Sequence, residues 1–256
     1  MSASKRMIKS LRVGALGLAI GVVVPTSCTQ PQILCTTGHG VAAARYTLKS
    51  GDANSECGAL VGDVLGMNTY YAEKDGLPDF TNISIAIRPE SVGYMVQDAV
   101  DRGADVDLGS ANAVGNFVDH LPDGDDFCAV EDFEAKVSLP LLELVPGVED
   151  DPSTPDVDES VPEIPEQPPM EITMEWSKTR FYVTADAQGT QFTAELKYTQ
   201  NGCTAEYEVV GLFPAAGCET DKDCQVTTNG INPNFATECD TNLGLCIPKG
   251  DVPAYK

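Results

Sequence analysis

Basic residues are scarce: 16 lysines and arginines stand against 39 aspartates and glutamates in 256 residues, a formal net charge of −23. So one-sided a surface repels polyphosphate and anionic head groups, which excludes nucleic acid as a partner. Imidazoles are scarcer still, since His39 and His120 are the whole supply. Nine cysteines are present but never as Cys-x-x-Cys, which removes the thioredoxin motif and closely spaced zinc-knuckle pairs. No Gly-x-Ser-x-Gly elbow marks a hydrolase nucleophile; Ser110, in LGSAN, lacks the second glycine. Phosphate-cradling glycine loops, basic stripes and heptad repeats are missing too, so no cofactor is expected. The one continuous small and apolar run, VGALGLAIGVVV at 13–24, has twelve residues, short of the roughly 20 that cross a bilayer as a helix.

Twelve is the length of a secretory signal core, and Lys5, Arg6, Lys9 and Arg12 form the positive flank that such signals carry. A signal peptide over 1–27 and an exported chain are therefore expected. Its removal takes off those four bases and no acid, moving the net charge from −23 to −27. The core runs into Pro25, Thr26, Ser27 and Cys28. This stretch resembles the lipobox of bacterial lipoproteins, small residues ahead of an acylated cysteine, with Pro25 where an aliphatic residue is usual. The resemblance implies that Cys28 carries acyl chains and anchors the protein to the cell envelope, with the outer membrane as the expected site; two or three chains suffice where one does not. Cysteine arithmetic agrees. Without Cys28, the remaining Cys35, Cys57, Cys128, Cys203, Cys218, Cys224, Cys239 and Cys246 are even in number, and an exported chain oxidises its thiols into disulfides.

The clearest punctuation in the mature chain is PGVEDDPSTPDVDESVPEIPEQPP, 146–169, with seven prolines, eight acids and no base. Proline removes backbone donors and clustered like charge resists collapse, so this segment is expected to be a disordered, solvated linker. It divides a β-rich region over 28–145 from a β-meander over 170–216. In the meander, Ile172, Met174 and Trp176 share one parity, and Phe181, Val183 and Ala185 share the other. Asn201-Gly202 is the dipeptide of a two-residue hairpin turn. Centring the turn there pairs Gln200 with Cys203, Tyr198 with Ala205, Leu196 with Tyr207 and Ala194 with Val209, with every apolar side chain on one face. The other face sets Lys197 against Glu206 and, unfavourably, Glu195 against Glu208.

In the first region, 46–51, 57–72, 80–88 and 133 onward (FEAKVSLPLLEL) read as strands. One helix interrupts them: Val92, Met95, Val96, Ala99 and Val100 recur at helical spacing, Pro89 suits the first turn and Gly103 the C-terminal cap. The 133 strand pairing the meander across the linker would make one sandwich or barrel; the alternative is two β domains. Residues 217–256 lack periodicity, and their four cysteines resemble the short cysteine-rich modules of surface proteins. That resemblance suggests crossed bridges, 218 with 239 and 224 with 246. Cys203, on the core face, could reach a first-half cysteine.

Two aspartate groups are the weak metal candidates, because carboxylates at alternate positions can converge on calcium: Asp123, Asp125 and Asp126, and Asp221 with Asp223. An EF-hand start at Asp105 and Asp107 fails, having Ser110 and Asn116 at the sixth and twelfth places. The chain thus resembles the cysteine-rich lipoproteins of bacterial envelopes, a class defined by address and build rather than by an active site. The expected fold is mainly β, an antiparallel sandwich or barrel with one short helix and a small disulfide-rich C-terminal module. The expected role is non-enzymatic: a partner membrane through the acyl chains, and a protein, glycan or small apolar ligand bound at the cell surface, or structural work there. A calcium-dependent adhesion module and a secreted hydrolase are the alternatives.

Overall fold

The computed structural model describes residues 32–149 and 160–256; the expected signal peptide, Cys28 and the middle of the acidic segment lie outside the described residues. Nine strands build one antiparallel sheet. Strands β1 (Gly40–Ser50), β2 (Gly62–Lys74) and β3 (Leu77–Pro89) run into helix α1 (Glu90–Asp101). After β4 (Ala113–Asn116), β5 (Phe127–Ala129) and β6 (Phe133–Leu139) come the long strands β7 (Met170–Val183), β8 (Gln188–Gln200) and β9 (Cys203–Leu212). Neighbours run β4-β3-β2-β1-β9-β8-β7, and β7 takes β6 along its first half and β5 along its last residues. The two β regions are therefore one sheet, joined where β1 pairs with β9.

The sheet curls until its edges meet. Just past β4, the Phe117 amide donates to Ile83 O while Phe117 bridges Val130; the Val118 amide reaches Ala129 O and the Glu131 amide reaches Asn116 O. Inside lie Ile83, Ile85, Ile87, Phe133, Val137, Ile172, Met174, Trp176, Phe181, Phe192, Leu196, Tyr207 and Val209, all buried in one cluster. Alternation puts them there, because successive strand residues face opposite sides.

Hairpin β8–β9 has the expected register, with Gln200 opposite Cys203 and Ala194 opposite Val209. Asn201 at φ 50° and Gly202 at φ 84° make the turn. The unfavourable Glu195–Glu208 pair does occur, and Lys49 (2.6 Å) and Lys178 (3.1 Å) relieve it at Glu195. The parity switch in β7 is a bulge: register shifts between Ser177 and Arg180, with Lys178 at φ 49°. The bulge also marks where β7 leaves β6 and takes up β5.

Three segments differ from their sequence reading. Strand β1 starts at Gly40, through Ala42, Ala43 and Ala44, which are all buried and so show no alternation. Ala42 and Ala44 face the sheet's interior, whereas Ala43 sits opposite Leu212 on the outer face, where the C-terminal module docks. Residues 57–61 form a loop before β2 rather than a strand, held by Cys57–Cys203 and by Tyr207, whose hydroxyl donates to Cys57 O (2.5 Å). The acidic segment is not free coil at its described ends: Leu142 bridges Gln167, Val145 bridges Ile164 and Val148 bridges Val161. Bonds recur at every third residue, the repeat of polyproline-type chains, and prolines 146, 162 and 165, between the bonded positions, have no amide to give. Arg102, just after α1, donates to the carbonyls of Leu142, Glu143 and Pro165 and fixes the base of this two-chain arm.

The C-terminal module lies on the outer face of the sheet. Its hairpin of β10 (Thr237–Asp240) and β11 (Leu245–Pro248) carries the crossed bridges Cys218–Cys239 and Cys224–Cys246. It is not without a core: Ile231, Phe235, Cys224 and Cys246 bury against Ala187, Leu212 and Ala216. Gln191, fully buried on β8, clips the tail by accepting from the Ala254 amide (2.8 Å) and donating to Ala254 O (3.3 Å).

Candidate functional site

The curled sheet is filled along most of its length and left unfilled at one end. There a cavity of about 500 Å³ lies between the start of α1, the first residues of β2 and β7, the middle of β1 and the end of β8. Its apolar wall is Leu60, Val92, Met95, Met170, Met174 and Leu196. Three methionines in one wall give it unbranched, polarisable side chains that adapt to irregular shapes.

The polar groups are few and come from separate strands. Asp63, opposite Ala44, stands on the inward parity of β2. It also completes α1, whose N-terminus has Pro89 and no capping side chain of its own. Asp63 accepts from the Ser91 hydroxyl (2.5 Å), more weakly from the Ser91 amide (3.4 Å), and from the Val64 amide (2.7 Å). Burial raises its pKa above the ordinary 3.8 against the pull of the Ser91 bonds, and no lysine or arginine among the described residues pairs with it. Tyr46 is 7% exposed, and among the described residues its hydroxyl has no hydrogen-bond partner. Burial first, then the Asp63 charge, holds that phenol well above its ordinary value. Tyr198 donates to Gln200 Oε1 (3.1 Å), and burial pushes its pKa to about 12. Gln200 in turn donates to Glu56 Oε2 (3.3 Å) at the rim.

The rim is stapled. Cys57–Cys203 joins the 57–61 loop to the start of β9, and Tyr207 accepts from the Leu60 amide (3.2 Å). At the other end of β7, Phe181 pairs with Cys128, which bonds Cys35. The cavity and the point where the N-terminal segment joins the sheet are thus at opposite ends of β7, a strand of 14 residues.

The candidates drawn from sequence fall elsewhere. Asp123 accepts from the amides of Asp125 and Phe127 and pairs with Arg180 at 2.9 Å. Those backbone bonds, Phe127's first, hold its carboxyl below the ordinary range. Asp126 occupies a positive-φ turn position, Asp221 accepts from the Cys239 amide, and Asp223 accepts from the amides of Glu219 and Thr220. Each group closes its own turn, and no three carboxylates converge among the described residues; the one cluster of potential ligands is Cys218, Cys224 and Cys246, whose sulfurs are in disulfides. His39 meets Asn68 at 2.7 Å in a shallow outer groove, and His120 meets Asp119 at 2.9 Å. Neither ring bonds a serine, threonine or cysteine among the described residues. No motif in the sequence marks the cavity; its one signal is an acid, Asp63, at an inward position two residues before Leu65.

The described residues form a mainly β body with one α-helix, one curled nine-stranded antiparallel sheet and four disulfides, and the comparisons make it a cysteine-rich bacterial lipoprotein. A family model described as MlpA matches residues 40–214, from β1 through β9, and the chain belongs to the MlpA family. A Myxococcus xanthus protein named "Putative lipoprotein MlpA" is 42% identical over 95 residues, 33% of this chain and 40% of that protein. The chain thus matches less than half the length of this relative. No solved structure matches.

Proposed function

We propose that the chain is held to the outer membrane by acyl groups on Cys28 and binds a small apolar ligand in the cavity at the start of β7, without transforming it. The observation that carries this reading is the cavity of about 500 Å³, apolar on most of its wall, with a buried hydroxyl on Tyr46 left unpaired. Ligand sites are concavities of this size and lining, with a few polar groups to orient what enters. An unpaired buried hydroxyl costs about 1–3 kcal/mol, which a ligand would recover by bonding it. Family membership and the lipobox-like stretch ahead of Cys28 support the anchor.

Two experiments test the two halves. Metabolic labelling with a radioactive fatty acid should mark the wild-type chain and leave Cys28→Ser unlabelled; equal labelling would refute the anchor. Titration with N-phenylnaphthylamine should give saturable one-to-one fluorescence enhancement. Met95→Trp, which fills the cavity, should abolish it with an unchanged far-UV spectrum. Enhancement undiminished in that variant would place binding elsewhere and end the cavity reading.

A further inference from the structure

The cavity is not electrically neutral. Two carboxylates line it, Asp63 and Glu56, and among the described residues neither has a lysine or arginine partner. Asp63 binds only neutral donors, Ser91 and Val64, and Glu56 binds the neutral amide of Gln200. Beside them is the Tyr46 hydroxyl, shut off from water and unpaired. Deeper in, the wall is methionine, leucine and valine. A carboxylate ligand would meet two like charges in a poorly hydrated space. A neutral ligand would leave the half-buried Asp63 without a counter-charge. A cation on an apolar body answers every one of these groups.

We infer that the ligand is a hydrophobic amine: an ammonium group donates to Asp63 Oδ2 and the Tyr46 hydroxyl oxygen, while its apolar body lies against Met95, Met170 and Met174. Glu56, at the rim, adds attraction on the way in. This inference rests on the cavity being a ligand site, and its test separates the two.

The test uses the full chain carrying Cys28→Ser, titrated calorimetrically at physiological salt with decylamine, decanol and decanoate below micelle formation. Decylamine should bind at least tenfold more tightly than decanol, with decanoate weakest, because only the amine adds a charge-assisted bond. Asp63→Asn keeps a side chain that caps α1 and removes only the charge. It should erase the preference for the amine and leave decanol unchanged, and Tyr46→Phe should weaken the amine severalfold. Because the acidic surface attracts any cation weakly, amine binding that survives Asp63→Asn undiminished overturns the inference. So does equal binding of the three probes, or preference for decanoate, although the cavity then still stands as an apolar site. Binding by none of the three overturns the cavity reading as well.

Discussion

The curled sheet and the module on its outer face are stabilised by different means. The sheet draws side chains from nine strands into one interior, with Trp176, Tyr207, Phe181 and Phe192 among the largest. The module buries Ile231, Phe235 and two half-cystines of its own, leans on Ala187 and Leu212 of the sheet, and has two disulfides. Short segments cannot bury enough surface to fold by hydrophobic burial alone, and cross-links restrict their unfolded chain instead. The sheet also leaves a cavity at one end of its interior.

Core truncation should have the largest effect. Trp176→Ala removes the largest fully buried side chain, stacked on Phe133, and should cost about 3–5 kcal/mol in denaturant unfolding. A loss confined to the module would break the comparison. Next, Cys224→Ala with Cys246→Ala should cost about 2–4 kcal/mol. Hydrogen exchange should rise over 217–256 while β7, β8 and β9 stay protected. Simultaneous exposure of both would show that the sheet depends on the module.

A smaller change tests the joint between them. Gln191→Ala removes both bonds to Ala254 and leaves the buried Ala254 amide unpaired, while its carbonyl keeps the Ala236 amide, at a cost of about 1–3 kcal/mol. It should raise exchange at the C-terminal tail first; protection unchanged at Ala254 would mean that ring packing around Tyr255 suffices.

The smallest effects are in pH. Asp63 has a raised pKa in the folded state, so its contribution is full below the ordinary 3.8 and is lost as pH rises through the folded value. Asp63→Asn should therefore gain in thermal midpoint over wild type as pH rises from 3 to 7. Asp123 has a lowered pKa, so its contribution is present above 3.8 and is lost as pH falls through the folded value. Asp123→Asn should lose midpoint at pH 7 and approach wild type in strong acid. Reversal of either trend, a relative loss for Asp63→Asn or a relative gain for Asp123→Asn as pH rises, would contradict the assignments of burial and hydrogen bonding.

The sheet was far more legible than the cavity, for a physical reason. Alternation and the Asn201-Gly202 turn fix β8–β9 residue by residue, because a one-residue slip would expose the whole apolar face. The same logic is silent on β1, where three alanines are buried from both sides, and on 57–61, where a disulfide and Tyr207 hold a loop that reads as apolar strand. It also misreads the flanks of the acidic segment, since composition shows the missing proline donors but not the amides between them that still bond across. The cavity combines Tyr46, Asp63, Met95, Met170 and Tyr198 from five elements, and an unfilled space has no sequence signature. The aspartates that look like a site in sequence, Asp123 and Asp223, are instead the residues that close turns.

Methyl spectra of the chain labelled with ¹³C at methionine, recorded while a ten-carbon alcohol or amine is added, test the central claim most directly. Met95, Met170 and Met174 should shift together and saturate at one equivalent, while Met67, which does not line the cavity, stays in place. Shifts at Met67 alone, or no shift at any methionine, would contradict a ligand seated at the open end of the sheet.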